Sequence, residues 1–158
     1  MRTQITLSLA LFFYSAGAAA VNPAFPSLEV LKVNRIATEV AGDLSKARAA
    51  LAGQGTVRVC RYLGKVESGA GFLRGALNAI DTLFNGHLMS GNVAPPWLEE
   101  LELAAISAQP IHALAVEAAL ACENSAPNVA VMDQLARELN AFQATWTPFR
   151  DQAMRELY

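Results

Sequence analysis

Residues 56–96 read TVRVCRYLGKVESGAGFLRGALNAIDTLFNGHLMSGNVAPP. Apolar side chains recur at Val59, Leu63, Val66, Ala70, Leu73, Leu77, Ile80, Phe84 and Leu88, every third or fourth position. That spacing lines one face of a helix, and strand-like alternation is nearly absent. The run stops at Ser90-Gly91-Asn92-Val93-Ala94-Pro95-Pro96, which is strong turn chemistry. Gly64, Gly69, Gly71 and Gly75 each weaken the helix by up to about 1 kcal/mol relative to Ala. They allow a break near Ser68–Gly71.

The same spacing continues on both sides. Upstream, Ser27 is a plausible N-cap after Pro26, and Val33, Ile36, Val40, Leu44, Ala47 and Leu51 form a stripe. Gly53-Gln54-Gly55 ends that segment, and Thr56 is a second cap type. Downstream, Pro96 and the acids Glu99, Glu100 and Glu102 favour a helix start. A stripe of Trp97, Leu101, Ala104, Ala108, Ile111, Ala115 and Cys122 follows, with a kink expected at Pro110. Asn124-Ser125-Ala126-Pro127 closes this third segment. A fourth carries Val131, Leu135, Leu139, Phe142, Trp146, Phe149 and Leu157, with Pro148 expected to bend or end it.

Four helical segments on short connections predict an all-α, up-down-up-down four-helix bundle. The cysteines set its register. Cys60 lies about 30 helical residues before the Pro95 turn and Cys122 about 27 after it, so at about 1.5 Å per residue both sit at the same end of an antiparallel pair. A Cys60–Cys122 disulfide is therefore expected.

The first twenty residues, MRTQITLSLALFFYSAGAAA, stand apart. Arg2 supplies a positive start, Ile5–Tyr14 an apolar run, and Ala18-Ala19-Ala20 a small-residue cleavage site. This is the layout of a secretory signal peptide. The run is too short to span a bilayer, which takes roughly 20 residues. Residues 1–20 are thus read as a signal and 21–158 as one domain, secreted or periplasmic. Export places the two cysteines where a pair is normally oxidised. No second long apolar stretch is evident, so no membrane association is expected after cleavage.

The 158 residues are 53% hydrophobic with a net charge of -2, which excludes a disordered chain and gives no basis for nucleic-acid binding. The balance hides an asymmetry. Val21–Gly75 holds eight Lys+Arg and four Asp+Glu, whereas Ala76–Ala136 holds seven acids and no Lys or Arg. One account is intramolecular, a basic first helix beside acidic third-helix positions. A sharper one is local. Lys46, Arg48, Arg58, Arg61 and Lys65 all fall where segment one ends and segment two begins. Arg58, Arg61 and Lys65 share one helical face. With a glycine-rich turn and a helix N-terminus, they are candidates to bind an anion or an acidic partner. At the other end, Phe84, Trp97, Trp146 and Phe149 are candidates to line an apolar pocket between helices.

His87 and His112 are the only histidines. They lie at different levels of the hairpin and lack the His-x-x-x-His or Glu-x-x-His spacing of bundle metal sites. No metal, cofactor or catalytic set is expected. Arg35, Lys46 and Arg58, at separations of eleven and twelve, loosely resemble the basic residues with which all-helical secreted chorismate mutases hold a dicarboxylate. That resemblance covers three residues and implies polar and acidic partners further along. Gly91 and Pro95 stand there instead, and the long segment 76–136 without Lys or Arg removes the later cation. The sequence favours a binding protein over an enzyme. The expected partner is another protein, in an inhibitor or accessory role, or a small apolar ligand held between helices.

Overall fold

A computed structural model describes residues 24–156 except 54, 90–97 and 125. Four helices follow in order: α1 (Ala24–Leu51), α2 (Thr56–Met89), α3 (Leu98–Glu123) and α4 (Val129–Glu156). α1 packs on α2 and α4, and α3 packs on the same two, while the diagonal pairs do not meet. This is the expected four-helix bundle. The signal segment and the Pro95 turn lie outside the described residues.

The stripes read from spacing form the core. Val33, Ile36, Val40, Leu44 and Ala47 of α1 meet Val59, Leu63, Val66, Ala70, Leu73, Leu77 and Ile80 of α2. Leu101, Ala104, Ala108, Ile111 and Ala115 of α3 meet Val131, Leu135, Leu139, Phe142, Trp146 and Phe149 of α4. Among the described stripe residues Leu51, the last of α1, is 39% exposed, and Cys122 is only partly buried.

Three local expectations are corrected. First, α2 is unbroken through Ser68–Gly71. Gly69 sits against Val40 of α1, where a Cβ would lie 2.6 Å from Val40 Cγ2. The glycine permits close helix approach rather than a break. Second, α4 runs past Pro148 to Glu156. Third, α1 begins before Ser27, with Pro26 in its first turn, where a missing N–H costs no intrahelical bond.

The connections explain the helix ends. Gly55 has φ 81°, the left-handed region that favours glycine. Its carbonyl accepts from Arg58 N (3.1 Å) and Val59 N (3.4 Å), so Gly55, and not Thr56, caps α2. After α3, Ala126 N–H returns to Ala121 O at 3.2 Å, closing the helix end. Asn128 caps α4. Its Oδ1 accepts from Val131 N at 3.2 Å and its carbonyl from Met132 N at 3.1 Å.

Cys60 and Cys122 are joined, with Cα atoms 5.4 Å apart. The bridge ties the start of α2 to the end of α3, as equal distances from the hairpin turn require.

Candidate functional site

The basic residues near the α1–α2 turn separate into two groups. Arg48 is directed to α4, where its Nη2 donates to Asp133 Oδ1 at 2.6 Å. The others face the α1–α2 side. Arg58, Arg61 and Lys65 are all exposed along one face of α2, as their spacing requires. Lys46 joins them from α1.

Tyr62 organises this face. It is partly buried against the core. Lys46 Nζ lies 6.0 Å from its ring centroid and Lys65 Nζ 5.9 Å, one cation from each helix. Lys46 also donates to Asp43 Oδ1 at 2.9 Å. The hydrogen bond to Asp43, and then its charge, raise the Lys46 pKa above the ordinary 10.5. No acidic residue occupies the first turn of α2, so the positive end of that helix adds to the cations. Tyr62 is not prominent in the sequence. Its position between Arg58, Arg61 and Lys65 is the signal that could have drawn attention to it.

The stripe carrying Arg58, Arg61 and Lys65 continues to Phe72 and Leu83, at the same helical spacing. Phe72 is 69% exposed and Leu83 43%. The outer face of α2 is therefore cationic near its start and apolar further along.

The aromatic candidates are placed differently. Trp146 and Phe149 are sealed in the core, 1% and 0% exposed, with ring centroids 4.9 Å apart. Phe142 stacks on Trp146 at 5.8 Å. The indole Nε1 of Trp146 is buried without a hydrogen-bond partner. Trp97 and the side chain of Phe84 lie outside the described residues.

Arg35 projects from α1 beside Glu39 at 3.9 Å and is largely exposed. Eleven residues of helix, about 16 Å, separate it from Lys46 on the same helix. His112 is half-buried beside Gly71. Its Nδ1 lies 3.3 Å from Arg74 Nη1, and since a guanidinium only donates, Nδ1 accepts. The His87 side chain lies outside the described residues. Among the described residues no three His, Cys, Asp or Glu side chains converge to hold a metal.

The acidic half of the molecule is on α3. Contrary to the expectation of no further apolar stretch, Glu99–Glu123 contains an 18-residue stretch of mean hydropathy 1.4 and is long and apolar enough to cross a membrane. In the bundle only 33% of its most apolar window is buried. α1 and α3 are diagonal, so the basic first helix does not lie beside the acidic third. Among the described residues Glu99, Glu102 and Glu117 pair with no cation.

Compared with known protein families, characterised proteins and solved structures, the chain matches none.

Proposed function

We propose that this is an exported, non-enzymatic helical binding protein, secreted or periplasmic, that holds an acidic protein partner in an inhibitor or accessory role. The contact face is the α1–α2 side formed by Arg58, Arg61, Lys65 and Lys46 around Tyr62. The observation that carries this reading is the convergence of Lys46 and Lys65, from two helices, on one half-buried tyrosine ring. A tyrosine anchored in the core and rimmed by guanidinium and ammonium groups has the composition of a protein contact surface. The cations would steer an acidic partner, and the ring and Phe72 would supply apolar contact. Export is supported by the layout of residues 1–20 and by the Cys60–Cys122 pair.

The test is a titration of the oxidised chain from residue 21 onward with a fluorescent helical peptide bearing Glu and Leu at alternating three- and four-residue spacings. The wild-type chain should bind it, and Arg58→Glu with Arg61→Glu should weaken binding by about tenfold or more. A lysine-bearing peptide of the same pattern controls for apolar stickiness. Equal affinity of wild type and double variant for the acidic peptide would overturn the proposal.

A further inference from the structure

The charge split along the sequence is not neutralised within the bundle. α3 presents an outward face of Glu99, Glu102, Leu103, Ile106, Glu117 and Leu120, all exposed. Leu103, Ile106 and Leu120 are 51%, 59% and 50% exposed. α3 is packed by α2 and α4 only, so the apolar side chains among these acids are left uncovered. α3 itself carries no Lys or Arg, and Arg74 of α2 borders the crevice it shares with Glu102 and Ile106 at one edge of this face.

The outer face of α2 has the complementary chemistry, with Arg61, Lys65 and the 69% exposed Phe72. The spacings also agree. Arg61 and Phe72 are eleven residues apart, and so are Ile106 and Glu117. Each interval spans about 16 Å of helix. An antiparallel approach of the two faces sets Phe72 on Ile106 and Arg61 beside Glu117 together.

We propose that the chain binds a second copy of itself head to tail, the basic α2 face of one copy docking antiparallel on the acidic, apolar α3 face of the next. This rests on the reading of the basic face as a partner site and names that partner. A twofold contact of either face with itself would set like charges together. Two different complementary faces instead give a heterologous contact, which propagates from copy to copy.

The test uses two charge variants of the oxidised chain from residue 21 onward. Arg61→Glu with Lys65→Glu disables the basic face and leaves α3 intact. Glu117→Gln with Ile106→Ser disables α3 and leaves the basic face intact. By sedimentation velocity across a concentration series, the wild-type chain should form assemblies that dissociate as salt rises. Each variant alone should remain monomeric, and an equimolar mixture should form a closed one-to-one dimer through the single intact pair of faces. Wild-type chain that stays monomeric overturns the proposal, as does a mixture that stays monomeric. Wild-type monomer that sediments with phosphatidylcholine vesicles overturns it in favour of lipid on α3. Wild-type chain that binds the acidic peptide without self-associating refutes this inference and leaves the proposed function standing. Wild-type chain that does neither removes the basic face as a partner site.

Discussion

Gly69 of α2 faces Val40 of α1 with no room for a methyl group, since a Cβ there would lie 2.6 Å from Val40 Cγ2. Gly64 and Gly75, on the same helix, have nothing within 4 Å of the equivalent position. One glycine of the three is therefore required by packing, and the other two only weaken the helix.

The three glycines should respond to alanine with opposite signs. Gly69→Ala forces α1 and α2 apart or Val40 off its rotamer, at about 1–3 kcal/mol. Gly64→Ala and Gly75→Ala should each stabilise by roughly 0.5–1 kcal/mol through helix propensity and a less free unfolded chain. Urea unfolding of the three variants measures this. A stabilised Gly69→Ala would show that the α1–α2 contact is looser than described.

The Cys60–Cys122 bridge closes a loop of 61 residues, which the chain-entropy model values at about 4 kcal/mol. Cys60→Ser with Cys122→Ser should lower the unfolding free energy by about that amount while keeping the helical circular dichroism. A change well under 1 kcal/mol would mean that helix packing alone fixes the hairpin register.

Trp146 combines full burial with an unpaired N–H, and an unmet buried donor costs about 1–3 kcal/mol. Trp146→Phe removes that donor together with some volume, so a loss of roughly 2 kcal/mol or less is expected. Trp146→Ala should lose about 3–5 kcal/mol. Equal losses for the two, measured by denaturant unfolding, would show that the N–H is satisfied in solution.

Lys46 has a raised pKa, with the hydrogen bond to Asp43 as the leading cause. A raised cation pKa gives a stabilising contribution that is complete below the unfolded value of 10.5 and lost as pH climbs through the higher folded value. The basic face thus keeps this charge at neutral pH. Asp43→Asn should lower the Lys46 titration midpoint, read from its side-chain NMR shifts. An unmoved midpoint would assign the shift to another group.

The fold was legible because burial leaves a periodic trace. The stripes from Val33 to Ala47 and from Val59 to Ile80 are core in the structure, and the two cysteines fix their register. What spacing does not report is contact across helices. Gly69 and Gly75 look alike in the sequence, yet only Gly69 lies on the α1 side at a crossing. Pro148 reads as a bend or an end, and α4 continues past it with Phe142, Trp146 and Phe149 held in the core on both sides. The candidate site was half visible. The Arg58, Arg61 and Lys65 face follows from helical geometry alone. Tyr62 with Lys46 requires knowing which side of α1 turns toward α2, and the departure of Arg48 toward Asp133 requires knowing where α4 lies.

The disulfide has a consequence for how the molecule comes apart. It makes the middle pair, α2 and α3, a covalently closed ring, while α1 and α4 are attached at one end each. The seam between those two outer helices is the least extensive of the four, and it contains a crevice of about 180 Å³ between Leu44 and Leu139. It is held by Arg48 on Asp133 and by Arg150 on Asn34 at 2.9 Å. The bundle resembles a book whose spine is sewn at Cys60–Cys122, and its pages part first along the edge where the two terminal helices meet.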